Sequence, residues 1–306
     1  PAVPVRRREE EAQHRDAEAE ERTDTAHHEV RVAHRRDERR GIRDVERERH
    51  DLGALLATER RAKLEIAVGD AGDAASVRAA LKGVDRIAII LPNGEKQLEY
   101  EKQLASLAAE AGVKHILKVS SMESHANAPN PTHAAHWDSE LHIKSLGVPW
   151  TMVRPSFYMQ NFLSNAATIK AENKFYYPFG EDGGAVMMDA RDVGYFIAHV
   201  FTTPGHGNKS YDITSGDRLK MREAAEVISR VLGRKVEYVP QDPAAFRAHL
   251  GRFIKSQWHL DAVCDIFREI ANGYMTHTTT TFKDVTGRDP VSLEGFIRDH
   301  AAVFKA

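Results

Sequence analysis

A doubly wound α/β fold is predicted for this chain on three observations. Between residues 64 and 154, short apolar runs alternate with amphipathic segments. The runs are continuous rather than period-two, as in strands buried on both faces. Each one stops at small or turn-forming residues. Taken in order, Leu64–Val68 reads as a strand closed by Gly69-Asp70, and Asp73 caps a helix through Leu81 that Gly83 stops. Ile87–Leu91 is the next strand, broken by Pro92-Asn93-Gly94. Leu104, Leu107, Ala108 and Ala111 share one helical face, and Gly112 ends that helix. His115–Val119 is a strand that runs into Ser120-Ser121-Met122. A polar loop spans 123–133, a helix runs from about Ala134 to Leu146, and the strand at 149–154 ends in Arg154-Pro155-Ser156. Strand–helix alternation of this kind implies βαβ units and a parallel sheet with helices on both faces. Ligands bind outside the carboxyl ends of such strands, so Leu91, Ser121 and Pro155 are expected to border one crevice.

After Pro155 the pattern changes to α+β. Phe175, Tyr176, Tyr177 and Phe179 fall among glycines, and Asp189–Phe201 reads as a helix. Tyr211–Thr214 and Val236–Val239 read as strands, and Met221–Leu232 as a helix closed by Gly233. Residues 243–275 look helical, and 293–304 form a last amphipathic helix. The expected division is a nucleotide-type domain at 63–155 and a smaller C-terminal domain at 156–306.

Residues 1–62 stand apart. They hold 15 Arg, no Lys, no aromatic residue and only Gly41 and Gly53, whereas Lys is frequent from Lys63 onward. Such a stretch buries too little apolar surface to offset its ordering entropy. It reads as a disordered or solvated charged segment, or as coding sequence read in a shifted frame. The whole chain has a net charge of −2 and so lacks the basic field that nucleic acid would require. Its one cysteine, Cys264, excludes an internal disulfide framework and fits a reducing compartment; it reads as a buried helix residue. No run has the length of a membrane span, and no signal peptide is visible, so a cytoplasmic protein is expected. The histidines lack metal-ligand spacing, and no metal is expected.

Six phrases carry a resemblance: EIAVGDAGDAASVRAALKGVDRIAIILP, EAGVKHILKVSSM, GVPWTMVRPSFYMQNF, DARDVG, YDITSGDRLKMREAAEVISRVLGRKVEYV and VTGRDPVSLEGFIRDH. In this order they resemble the NmrA-like group of atypical short-chain dehydrogenase/reductases. The resemblance implies a Rossmann-type domain binding NADP(H) or NAD(H), with a smaller substrate domain. It implies hydride transfer to a quinone or similar electron-poor aromatic, or alternatively an NADP-sensing regulator that docks onto a protein partner. The family's GxxGxxG phosphate loop has no counterpart in 1–62; HEVRVAHRR at 28–36 faintly resembles its second strand.

By the same resemblance, Asp70 would touch the adenine; its plainer reading is a turn or cap carboxylate. Leu91 and Pro92 would pack under the cofactor, and Ser120 and Ser121 would lie beside the nicotinamide ribose. Pro155, Ser156 and Phe157 would border the nicotinamide. Met122, Trp137, Tyr158, Met159 and Asn161 would line or support the substrate pocket, although Phe157 and Tyr158 equally suit core packing. Ordinary short-chain dehydrogenases carry Tyr-x-x-x-Lys on the helix that here reads AAHWDSELHIKSLG, which lacks that pair. His136 and Glu140, one turn apart, can form a surface pair or a hydrogen-bonded couple offering a proton. His136 and Tyr158 are the candidate catalytic groups.

Overall fold

The computed structural model describes residues 67, 69–216 and 218–305. The strand read at 64–68, apart from Ala67, and the whole of 1–62 therefore lie outside the described residues. The central sheet has four described strands: β1 (Arg86–Ile89), β2 (His115–Val119), β3 (Trp150–Pro155) and β8 (Lys209–Ile213). They lie in the order β1-β2-β3-β8, and every pairing is parallel. Ile89 faces Lys118, Val119 faces Val153, and Pro155 faces Ile213. The carboxyl ends of β1, β2 and β3 thus come out side by side, with β2 in the middle.

Local chemistry sets the helices between them. α1 (Ala74–Ala80) starts at Asp73, whose carboxylate accepts from the Ala75 and Ser76 N–H groups. Such a cap is worth about 1 kcal/mol. α2 (Gln97–Glu110) turns Leu104, Ala105, Leu107 and Ala108 inward. α3 (Pro131–Ser145) begins earlier than the sequence suggests, because Asn130 caps it and Pro131 occupies its first turn. These three helices cover one sheet face, packing on Ile87, Ile89, Ile116 and Met152. The other face, with Leu117 and Val153, is covered by residues of two later helices, α5 (Ala190–Thr202) and α9 (Thr281–Thr286).

Beyond Pro155 the chain forms β4 (Phe157–Tyr158), a 3-10 turn (Met159–Asn165), α4 (Ala166–Glu172), β5 (Lys174–Tyr177), β6 (Gly184–Ala185) and β7 (Met187–Met188). After α5 it returns to the central sheet as β8, so the C-terminal half supplies both a sheet strand and its covering helices. β9 (Leu219–Lys220), α6 (Met221–Leu232) and β10 (Glu237–Pro240) follow; β10 pairs in parallel with β5. The segment read as helical at 243–275 is two helices, α7 (Pro243–Leu250) and α8 (Gln257–Ala271). The last helix is likewise split, into α10 (Leu293–Asp299) and α11 (Ala301–Phe304). A second core of Phe162, Phe175, Tyr177, Ile228, Phe296 and Phe304 holds this half together.

Candidate functional site at the strand ends

Backbone bonds lock the crevice edge. The Ser120 N–H donates to Val153 O at 2.7 Å, the Met122 N–H to Pro155 O at 3.4 Å, and the Ser156 N–H to Ile213 O at 3.3 Å. Ser121 and Pro155 are therefore neighbours across the ends of β2 and β3, and Leu91 follows β1 two residues past its end. Leu91 is half-buried and Pro92 exposed at the first strand end.

The two serines have different jobs. Ser120 is buried and donates to Glu140 Oε1 at 2.7 Å, so its hydroxyl proton is spent inside the protein. Ser121 is half-buried; its Oγ accepts from the Glu123 N–H at 3.3 Å, leaving the hydroxyl proton for a ligand. Ser156 is 5 % exposed, and its Oγ has no hydrogen-bond partner among the described residues. A buried hydroxyl without a partner carries a desolvation cost, which a ligand acceptor at the end of β3 would relieve.

Below the strand ends lies a buried polar layer that sequence reading largely missed. Arg154 clamps Glu140 with Nε to Oε1 at 2.8 Å and Nη2 to Oε2 at 2.5 Å. Lys144 adds a contact to Oε2 at 3.2 Å. Burial would raise the Glu140 carboxyl, but the Arg154 bonds outweigh it and hold the group below its ordinary range. Beside it, the Lys118 ammonium donates to Glu101 Oε1 at 2.6 Å and to His136 Nδ1 at 2.9 Å. Gln97 Nε2 donates to the same carboxylate at 3.2 Å and the same ring nitrogen at 3.1 Å. Because Nδ1 accepts, the His136 proton is assigned to Nε2. Burial, then the charge of Lys118, holds His136 well below 6.5.

Several expected roles change. His136 and Glu140 do not pair; they turn into two separate networks, because each finds a stronger partner on the sheet. His136, neutral and engaged, is not a proton source. Tyr158 is half-buried, and burial pushes its phenol up to about 12, without the neighbouring cation that would lower it. At Trp137 the Lys144 ammonium lies 5.5 Å over the ring, and the same ammonium lies 4.9 Å over Trp150. Met159 is 1 % exposed and belongs to the second core, so it supports the pocket from behind. Asp70 is exposed and accepts from the Gly72 N–H at 2.7 Å, which is the turn role. Asn161 is half-buried in the 3-10 turn, and Met122 is half-buried at the crevice edge.

Phe157 is buried and anchors an aromatic wall. Its ring meets Tyr177, Phe179 and Phe267 edge-on, with centroids 5.9–6.3 Å apart. Phe267 stacks on Phe179 at 5.5 Å and touches Phe246 at 4.6 Å. Phe267 and Phe246 come from α8 and α7, so only the tertiary fold reveals them. α8 is tied to the loops at the strand ends by three contacts. The Ser256 hydroxyl donates to Glu95 at 2.7 Å, Asn130 Nδ2 donates to Ala262 O at 2.9 Å, and His133 faces Glu269 at 3.4 Å. Among the described residues, no group of His, Cys, Asp and Glu could hold a metal, and no helix is long and apolar enough to cross a membrane.

Comparison with known proteins agrees with this geometry. The chain is 31% identical to an NAD(P)H azoreductase of Xenophilus azovorans, over 83% of this chain and 88% of the relative. It superposes on the NADPH complex of an NADPH-dependent quinone oxidoreductase from Escherichia coli with a TM-score of 0.70 at 22% identity, covering 79% of this chain and 85% of the other. It superposes on an NADP(H) complex of Citrobacter triphenylmethane reductase with a TM-score of 0.69 at 20% identity, covering 80% and 86%. The model of the NmrA-like family matches residues 26–293. A parallel sheet in the described residues, joined to a match over most of its length, makes this chain a member of the NmrA-like family.

Proposed function

We propose that this chain is an NAD(P)H-dependent oxidoreductase that delivers hydride to an electron-poor aromatic acceptor such as a quinone or an azo compound. The observation that supports the reading most is that Leu91, Ser121 and Ser156 follow the carboxyl ends of three adjacent parallel strands. The residues present fit a dinucleotide: Ser121 keeps a free hydroxyl proton, and Ser156 has a buried hydroxyl awaiting a partner. The bound nicotinamide supplies the hydride. Leu91 and Pro155 provide apolar packing beneath it, and Ser121 and Ser156 orient its ribose and ring. The aromatic wall behind Phe157 excludes water and favours a flat acceptor. The similarity to an azoreductase supports the same acceptor class.

Fluorescence titration of the purified chain with NADPH and NADP, followed by acceptor-dependent loss of nicotinamide absorbance, tests this. Saturable binding and turnover are expected. Binding without turnover of any quinone or azo acceptor would instead favour an NADP-sensing regulator, a reading that the missing Tyr-x-x-x-Lys pair also suits. Absence of binding would overturn both.

A further inference from the structure

Ser121 and Ser156 follow different strands, so a dinucleotide that meets both hydroxyls needs the two strand ends held in register. The backbone does this only in part. The Ser120 N–H donates to Val153 O at 2.7 Å, but the next bond outward, from the Met122 N–H to Pro155 O, is 3.4 Å long. β3 closes on Pro155, which has no N–H to give. The ladder thins where the ligand-facing residues begin.

A side-chain clamp lies at the same level. Glu140 reaches in from α3 with a side chain that is 0% exposed. Its Oε1 accepts from the Ser120 hydroxyl at 2.7 Å and from Arg154 Nε at 2.8 Å. Its Oε2 accepts from Arg154 Nη2 at 2.5 Å and from Lys144 Nζ at 3.2 Å. Ser120 immediately precedes Ser121, and Arg154 is separated from Ser156 by Pro155 alone. One carboxylate therefore grips β2 and β3 at the base of both serine turns. Arg154 extends the grip to β8, where its Nη1 lies 3.7 Å from Asp212 Oδ1. The residue after Asp212, Ile213, accepts from the Ser156 N–H at 3.3 Å.

The four donors on Glu140 match the acceptor capacity of a carboxylate. The planar guanidinium adds a fixed two-point geometry. Glu101 is built otherwise, with one oxygen that has no hydrogen-bond partner among the described residues. A fully satisfied buried network holds its members in one arrangement. Stability alone does not call for such a network, since an apolar layer of similar volume serves as well.

We propose that Glu140 is a positioning residue for the dinucleotide: by holding Ser120 and Arg154 at once, it sets the spacing between the Ser121 and Ser156 hydroxyls. Glu140 acts through these neighbours and does not touch the ligand. The proposal rests on the cofactor-binding part of the oxidoreductase reading above.

Double-mutant cycles on NADPH affinity, read by fluorescence titration of the full chain, test this. Glu140→Gln keeps the side-chain shape, but its amide nitrogen meets an Arg154 donor in either orientation. It is expected to weaken NADPH binding about 10-fold, and Ser121→Ala and Ser156→Ala are each expected to do the same. Combined with either serine change, Glu140→Gln is expected to stay near about 10-fold instead of reaching about 100-fold, because a misplaced hydroxyl has little binding left to give. Additive losses in either cycle, or unchanged affinity in Glu140→Gln alone, overturn the proposal. Arg154→Lys covers the case in which Glu140→Gln folds poorly. It keeps the charge and loses the two-point grip on β3. Its loss is expected to be non-additive with Ser156→Ala, and additivity there overturns the proposal. Hydrogen exchange without NADPH gives a readout free of the cofactor. Glu140→Gln is expected to speed exchange in segments 119–123 and 154–158 while α1 keeps its wild-type protection; uniform acceleration along the chain means global destabilisation and overturns the proposal. A wild-type chain that does not bind NADPH sinks the oxidoreductase reading and this proposal with it. A wild-type chain that binds, with additive variants, sinks this proposal alone.

Discussion

Replacing Lys118 by Met should destabilise the protein severely. Lys118 and Glu101 have side chains that are 0% exposed and touch at 2.6 Å, and the second oxygen of Glu101 has no hydrogen-bond partner among the described residues. Burial pulls the Lys118 ammonium below its ordinary range, against the charge and hydrogen bond of Glu101. The ion pair therefore exists only because each charge cancels the desolvation of the other. Removing the cation leaves a dry carboxylate with the Gln97 hydrogen bond and the neutral His136 ring at 3.9 Å, and removing one partner of a buried pair costs about 3–5 kcal/mol. Methionine keeps most of the side-chain volume, so little of that loss is a cavity. The double change Lys118→Met with Glu101→Met removes both charges, and an apolar replacement of that kind is expected to return to within about 1 kcal/mol of wild type. His136 still accepts from Gln97 in that background. Urea denaturation at neutral pH, followed by circular dichroism, measures all four corners of the cycle, which isolates the coupling if the m-values agree. A single Lys118→Met variant within about 1 kcal/mol of wild type would refute the reasoning, since it would mean that the carboxylate is not charged and dry.

Three further outcomes follow from the same geometry. His136 is held neutral in the fold, whereas an unfolded histidine titrates near 6.5, so the unfolded state binds more protons below that pH. Stability should therefore fall as pH drops from 6.5, and His136→Gln should flatten that slope by up to about 1.4 kcal/mol per pH unit; identical slopes in the two proteins would contradict it. Ser120→Ala should cost about 1.5–3 kcal/mol, because it removes a bond to the buried Glu140 carboxylate, and Ser121→Ala should leave stability unchanged but weaken NADPH binding. Calorimetry and fluorescence titration on the pair separate these roles, and a swapped pattern would reverse the assignment. A Cβ at Gly184 would overlap the Leu219 carbonyl in the β6–β9 pair, so Gly184→Ala should cost about 1–3 kcal/mol in the same denaturation assay.

Much of the first half was legible because it rests on local signals. The runs IAII and HILKV are too apolar and too short for anything but buried strands, and Asp73, Gly112 and Gly147 punctuate the helices at the expected places. Misreadings came where one side chain had two reasonable fates. Trp137 looked like a pocket residue because aromatics line pockets, but the contact its ring makes from α3 is with Lys144, which also lies over Trp150. His136 and Glu140 looked like a couple because they are one turn apart, yet spacing along a helix cannot show that Lys118 and Arg154 wait on the sheet below. The break between α7 and α8 was invisible to periodicity, since Ser256 caps the second helix in the middle of an apolar-patterned stretch.

What the chain determined by itself is the order of its elements and the end of the sheet where chemistry belongs. Those follow from hydrophobic period and turn residues, which act over a few neighbours. The fold alone decided the rest: that the Ser120 hydroxyl donates to Glu140 while Ser121 accepts from its own turn, and that Phe246 and Phe267 join Phe157. Each of these depends on groups far apart in the chain meeting in a low-dielectric interior, where a partner within about 3 Å decides what a side chain can do.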